Sequence, residues 1–293
     1  MNVNFLSGIT TALITPFNKG KVDYPKLEEI LSAQVSAKVS SILLFGTTAE
    51  PYSLSLSEKK SIFLLTKRIA PNIPIIAGIS HPSTDECIKE AKRLINWGAN
   101  ALMITTPYFY KTLERGTVAH FEKIASCTSL PIIVYNVPNR TGYDISIESE
   151  VLKMIDNIEN IVAIKQASNV LSICKDFLTK TNKLSLCGND SYLFELLKCG
   201  YHGVISVLSN AFPQKIVQIY NSMQKKDFSV ASSTFNEVYP LITALEKYPN
   251  PIGIKYLCSK VFNLKNELRL PLVKLNTNES KKIDFCLNNL LGE

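Results

Sequence analysis

The sequence predicts a (β/α)8 barrel, an α/β TIM-barrel fold, with a small helical appendage after it. Three observations predict it. Eight short apolar runs alternate with longer segments of helical period, the runs are apolar on both alternations, and no strand-like run follows the eighth. The runs begin at Ile9 (ITTALITPF), Ser41 (SILLFGTT), Ile73 (IPIIAGIS), Ala101 (ALMITTP) and Pro131 (PIIVYNVP). They continue at Ile161 (IVAIKQAS), Leu184 (LSLCGND) and Gly203 (GVISVLSN). Parallel strands with a barrel core on one face and helices on the other need apolar side chains on both. Eight units in succession, without extra edge strands, favour a closed barrel over a doubly wound open sheet.

Between the runs the period changes to that of a helix. In the first such segment Leu27, Ile30, Leu31 and Val35 share one face, while Lys26, Glu28 and Glu29 turn away. A later one opens at Ser83 with Glu86 three residues on, a capping box, and stops at Gly98. The eighth helix falls at about 213–225, and further helices near 227–247, 252–263 and 277–290. They are broken by Tyr248-Pro249-Asn250-Pro251 and by Pro271. The expected division is a barrel over 1–225, holding the active site, and a helical domain over 226–293, with no low-complexity linker.

At 293 residues the chain accommodates a barrel, which typically takes about 250 residues. No apolar run approaches the ~18 residues needed to span a bilayer. The opening MNVNFLSGITTALITPF has no basic residues before its apolar stretch and no clear small-residue cleavage site. It reads as a first strand, and the expectation is a cytoplasmic protein. Seven scattered cysteines without a C-x-x-C pair count against a disulfide framework and a cysteine zinc site. His81, His120 and His202 are not at metal-ligand spacing, which counts against a metal-dependent aldolase. The net charge of +7 comes from dispersed lysines and short pairs such as Lys225-Lys226, not from a basic stripe. That pattern is a solvated surface able to attract small anions, not a nucleic-acid site.

Barrel active sites lie at the C-terminal ends of the strands. Those ends carry Thr47-Thr48 with Glu50, Ser80, Tyr108, Tyr135-Asn136, Lys165, Asn189-Asp190 and Ser206. One lysine and several hydroxyls stand there, with no histidine dyad. In IVAIKQA, Ile161, Ala163 and Lys165 share one face and Val162 and Ile164 the other. With the Val/Ile face on the helices, Lys165 points into the barrel mouth, where desolvation turns an amine into a nucleophile for a carbonyl. A strand-end lysine snorkelling to water fits the same pattern. Tyr135 suits proton transfer beside an imine, or an interfacial tyrosine with a wet hydroxyl. The GTTAE turn at 46–50 suits a small carboxylate, or is a plain Gly-Thr turn. Arg140 suits bidentate capture of a second carboxylate, or is an ordinary surface arginine.

Taken together and in order, GTTAE (46–50), TPYFY (106–110), YNVPNRTG (135–142), IKQAS (164–168), CGND (187–190), GVISVLSN (203–210) and NPIGIK (250–255) carry a resemblance nearly end to end. The chain resembles the dihydrodipicolinate synthase branch of the N-acetylneuraminate lyase superfamily. The resemblance implies Schiff-base condensation of pyruvate with L-aspartate 4-semialdehyde, without cofactor or metal. It implies Lys165 as the Schiff-base lysine, Tyr135 as proton donor and acceptor, Thr47 as a relay hydroxyl and Thr48 as holder of the pyruvate carboxylate. Ile205 and Gly188 are implied as backbone contributors to the pyruvate site, and Arg140 as receiver of the semialdehyde carboxylate. A homotetramer built from two tight dimers is implied as well.

Four departures from the family pattern stand out. Phe109 occupies the place of a relay tyrosine that reaches across the dimer, so the relay is broken, rerouted through water or served by Tyr110. Ala49, Gln166 and Ile79-Ser80 replace a glycine, a glutamate and a Thr-Gly pair. The effector site for L-lysine also looks altered, with Pro51, Leu56, Lys59 and Pro82 beside Glu86 and Tyr108, and weak feedback is expected. The alternative on the same scaffold is another pyruvate-dependent aldolase, acting on sialic acid or a 2-keto-3-deoxy-sugar acid. A non-catalytic barrel is the alternative of a different class.

Overall fold

A computed structural model describes residues 2–292. The first four barrel strands are β1 (Ile9–Ala12), β2 (Ser41–Leu44), β3 (Ile75–Ile79) and β4 (Ala101–Thr105). The remaining four are β5 (Ile132–Asn136), β6 (Ile161–Gln166), β7 (Leu184–Cys187) and β8 (Gly203–Ser206). All neighbours are parallel, and β8 returns to β1 through Ile9↔Val204, Thr10↔Ile205 and Thr11↔Ser206, which closes the barrel. One small pair lies outside it: Phe17–Asn18 and Lys21–Val22 form an antiparallel hairpin. The expectation of no extra strands is corrected there, because the first apolar run ends as a strand at Ala12 and re-enters pairing only after Pro16. No helix among the described residues is long and apolar enough to cross a membrane.

The barrel interior is filled from alternate positions: Ala12, Leu43, Ile76, Met103, Ile133, Ala163, Leu186 and Ile205 form one cluster. The intervening residues, among them Ile42, Ile75, Ile104, Val134 and Ile164, join a larger cluster shared with the helices. One strand departs from the expected alternation. Ile132 pairs with Ile161 but Ile133 pairs with Ala163, so Val162 is an inserted residue. Ile161 therefore faces the helix layer and Val162 packs against the interior. Phase is regained at Ala163, and Lys165 follows it inward.

The helices are α1 (Tyr24–Ala37), α2 (Leu56–Ile69), α3 (Thr84–Trp97), α4 (Glu114–Ala125), the short α5 (Pro138–Thr141) and α6 (Glu150–Asn157). Then come α7 (Leu171–Lys180), α8 (Leu193–Lys198), α9 (Pro213–Gln224), α10 (Phe228–Leu245), α11 (Ile252–Val261) and α12 (Thr277–Leu291). In α1 Leu27, Ile30 and Leu31 are buried as expected, but Val35 is 39% exposed. Its place is taken by Gln34, whose Oε1 accepts from Thr11 Oγ1 at 2.7 Å. Ser83 caps α3 by accepting from the Glu86 N–H, but Glu86 pairs with Lys89 at 2.7 Å and does not close the box. Reciprocal boxes form instead at Ser55/Glu58 and Asn276/Glu279.

The segment after the barrel is bound to its mouth through α11 and the stretch that holds Arg269. Lys255 of α11 donates to Glu50 Oε1 at 2.6 Å, with both side chains fully buried. Burial pushes the Lys255 ammonium down to about 8, with Glu50 pulling the other way. Glu50 also accepts from the Arg269 N–H at 3.1 Å. The Arg269 guanidinium forks onto Glu58, whose carboxyl is held down at about 2 chiefly by that contact. Lys255 Nζ and the Arg269 guanidinium stand 4.1 and 4.4 Å from the centroid of the Phe17 ring.

Candidate active site

A cavity of about 630 Å³ opens at the C-terminal ends of the strands. Its floor holds Lys165, 6% exposed, with Nζ 4.1 Å from the centroid of the Tyr135 ring. The two sit side by side because Tyr135 of β5 pairs in register with Lys165 of β6. The amine belongs to none of the ion pairs among the described residues. It is a nearly dry amine over an aromatic face, whose negative quadrupole favours a cation such as a protonated imine.

Beside the amine, Gly188 directly follows β7. A Cβ there would stand 2.8 Å from Gln166 O and 3.0 Å from Lys165 Cε, so only hydrogen fits. The next acid, Asp190, is buried, and its Oδ2 accepts from the N–H groups of Val207 and Leu208 at 2.9 and 2.8 Å. Burial raises its carboxyl, while Ser206, those two N–H groups and the charge of Lys165 pull it back. Asp190 thereby fastens the end of β8 to the end of β7.

Thr47 and Thr48 lie on a single 3-10 turn, Thr47–Ala49, and both line the cavity. The turn is closed by Glu50 at φ +54°, a left-handed conformation that the ion pair with Lys255 holds in place. Thr48 Oγ1 accepts from Asn250 Nδ2 at 2.9 Å, which leaves its own proton free for an anion. Arg140 extends from α5, exposed at the rim, and donates from Nη2 to the carbonyl of Asn250 at 3.1 Å. Asn250 thus touches both expected carboxylate binders. It lies in the quoted NPIGIK segment, yet its role was not legible there, because nothing local tells which barrel loop that turn meets.

The structure brings together Lys165, Tyr135, Thr47, Thr48, Arg140 and Gly188 around one cavity. It does not bring in the other three expected residues. Ile205 lies in the barrel interior beneath the cavity, 1% exposed. Phe109, at φ +71°, and Tyr110 are 89% and 63% exposed and make an edge-on pair at 6.0 Å away from the cavity. Tyr108 accepts from Tyr52 Oη at 2.8 Å and so has no free part in a relay within one chain. The outer wall comes from beyond residue 225: Ile242, Leu245, Glu246, Tyr248, Asn250 and Ile254 all line the cavity. These residues stand beyond the expected barrel boundary at 225 and share the cavity with the strand ends. At the expected effector site Lys59 is paired with Glu90 at 3.3 Å, so its charge is partly spent.

Comparison with known proteins gives the family and the fold. The profile of the Dihydrodipicolinate synthetase family matches residues 5–290. The chain is 35% identical over 270 residues to 4-hydroxy-tetrahydrodipicolinate synthase of Fervidobacterium nodosum, covering 91% of this chain and 92% of that one. With the Staphylococcus haemolyticus protein of the same name it shares 36% over 282 residues, 95% of each. Among solved structures, dihydrodipicolinate synthase of Thermotoga maritima superposes with TM-score 0.93 at 30% identity, over 98% of this chain and 99% of that one. A structure described as the first monomeric dihydrodipicolinate synthase variant superposes equally well, TM-score 0.93 at 30% identity, over 98% and 97%.

Proposed function

The chain belongs to the dihydrodipicolinate synthetase family, and on that premise we propose how its own residues carry the chemistry. The reaction is the condensation of pyruvate with L-aspartate 4-semialdehyde to 4-hydroxy-tetrahydrodipicolinate, a lyase reaction of the class I aldolase type in lysine and diaminopimelate biosynthesis. The observation that carries the residue assignment is the unpaired Lys165 amine, buried over the Tyr135 ring in the same cavity as Thr48 and Arg140.

Pyruvate enters with its carboxylate on Thr48, whose hydroxyl proton is free because Asn250 occupies the lone pair. Lys165 adds through its nitrogen to the ketone carbon, and the carbinolamine loses water as Tyr135 passes protons, giving a protonated imine. The imine draws electrons from the methyl carbon, which releases a proton and becomes the enamine. The enamine carbon bonds to the aldehyde carbon of the semialdehyde, whose carboxylate rests on Arg140, and the aldehyde oxygen takes up a proton. The semialdehyde amine then attacks the imine carbon, closes the ring and expels Lys165 as the free amine. Thr47 belongs in the proton path, and its neighbour in that path comes from outside the single chain or from water.

The exposed rings of Phe109 and Tyr110, with Leu113 61% exposed beside them, support a tight dimer as the unit from which a homotetramer is built. A cytoplasmic location fits an enzyme of lysine and diaminopimelate biosynthesis. The reading is tested by incubating the protein with both substrates and following ring closure. Turnover that needs both substrates and vanishes in Lys165→Ala supports it. Release of pyruvate from sialic or 2-keto-3-deoxy-sugar acids, with no semialdehyde consumed, overturns it in favour of the other aldolase.

A further inference from the structure

The cavity is larger than pyruvate requires, and its outer half carries one charged group that the steps above do not use. Glu246 lines it on the side of the C-terminal helices. The cavity holds only one other acid, Asp190, and that carboxylate is committed to the Val207 and Leu208 N–H groups. Glu246 makes no ion pair among the described residues. It also stands where a carboxylate is costly. As the residue that ends α10, an 18-residue helix, it meets the negative end of the helix dipole. Its side chain is exposed at the rim, yet partial desolvation and the charge of Asp190 push its carboxyl up, relieved in part by Ser191. Among the described residues no cation pairs with it.

Its position relative to Arg140 gives the charge a purpose. The Arg140 guanidinium bonds the carbonyl of Asn250, four residues after Glu246, and all three residues line the same mouth. A cation and an anion are therefore held by one short stretch, 246–250, beyond the reacting amine. The second substrate is a zwitterion, with a carboxylate and an ammonium on one carbon. Arg140 alone fixes the carboxylate and leaves the molecule free to rotate about it. A second contact of opposite sign fixes which way the amine lies, and that amine must later reach the imine carbon.

We propose that Glu246 receives the α-ammonium of L-aspartate 4-semialdehyde and is a specificity-determining residue that selects an amino-aldehyde over an aldehyde without the amine. The assignment rests on the proposed condensation and goes beyond it. Glu246 belongs to the helical segment after the barrel, so acceptor choice is built into that segment.

The test compares Glu246→Gln with the unaltered protein on two ligands. L-Aspartate 4-semialdehyde presents carboxylate, ammonium and aldehyde, and succinate semialdehyde lacks only the ammonium. In Glu246→Gln the KM for aspartate semialdehyde is expected to rise about tenfold, a loss of about 1.4 kcal/mol. Inhibition by succinate semialdehyde should stay within about twofold, since its ligand group is Arg140. Persistence of pyruvate-dependent labelling of Lys165 establishes that the variant is folded. Glu246→Asp should recover part of the lost affinity. An unchanged KM, or equal weakening of both ligands, overturns the assignment. Failure of the unaltered protein to consume aspartate semialdehyde at all overturns instead the reading on which it rests.

Discussion

Replacing Lys255 by methionine removes the cation from a pair in which both side chains are fully buried. Glu50 is left with the Arg269 N–H as its remaining hydrogen-bond donor, at 3.1 Å, and stays buried at 4% exposure. Stripping one partner from a buried pair costs about 3–5 kcal/mol, because the other charge keeps its desolvation penalty. For a domain of this size that corresponds to a melting temperature lower by roughly 6–10 °C, at about 2 °C per kcal/mol. The damage should reach the site as well. Glu50 closes the Thr47–Thr48 turn from a left-handed conformation, so the KM for pyruvate should rise while Lys165 remains reactive. Glu50→Gln with Lys255→Met removes both charges, and should recover more than half of the lost stability. The assay is urea denaturation of the four proteins of the cycle, with pyruvate KM measured on each. A single Lys255→Met variant within about 1 kcal/mol of the parent would mean that the pair does not hold the turn.

Other perturbations follow from the same geometry. Gly188→Ala places a methyl 2.8 Å from a backbone oxygen and 3.0 Å from Lys165 Cε, so the amine must move. A displacement of about 1 Å in a reacting group can cost about 100-fold, and kcat should fall by that order, with the melting temperature falling as well because the same methyl meets backbone and the Ala167 side chain. Phe109→Tyr supplies a hydroxyl at the relay position and is expected to raise kcat with little change in KM; no gain would show that water or Tyr110 already serves. Burial holds the His120 imidazole down at about 4, against 6.5 for a free side chain. Between pH 6.5 and 4 the unfolded chain binds a proton that the native state refuses, so stability rises with pH in that window and is lost on acidification. The loss amounts to about 3 kcal/mol, and it should be flattened in His120→Gln when denaturation midpoints are compared at pH 7 and 4.5. L-Lysine should inhibit weakly, since Pro51, Leu56 and Pro82 supply no polar contact to it and the Lys59 ammonium repels it, if less strongly for being paired with Glu90. Near-complete inhibition at low millimolar effector would contradict that.

The strands were legible because a parallel barrel asks the same of every strand, an apolar residue on each face, and the eight runs all meet that demand. The buried lysine of the cavity was legible for a related reason: IVAIKQA places one charge where the alternation requires a core residue. The alternation itself failed at Ile161, since the inserted Val162 depends on how β5 and β6 pair and leaves no mark in either strand alone. The capping box at Ser83 was half right, because Glu86 had a closer cation in Lys89. What the sequence could not disclose were contacts between distant segments. Asn250 on Thr48, Lys255 on Glu50 and Glu246 beside the mouth each join residues about 200 apart or more to the first half of the barrel, or to a cavity shared with it. Periodicity carries no information about such pairs. The same limit hid that α10, the turn after it and the start of α11 supply the outer wall of the cavity.

Lys165 Nζ is the atom proposed to bond pyruvate, and every later step follows from that bond. Incubation with pyruvate and borohydride, followed by peptide mass mapping, tests this most directly. One equivalent of reduced pyruvate adduct on the peptide containing Lys165, absent without pyruvate and absent in Lys165→Arg, is the predicted result. A protein that stays unlabelled while remaining folded, or that carries the label on Lys255 or a surface lysine, would contradict the mechanism at its first step.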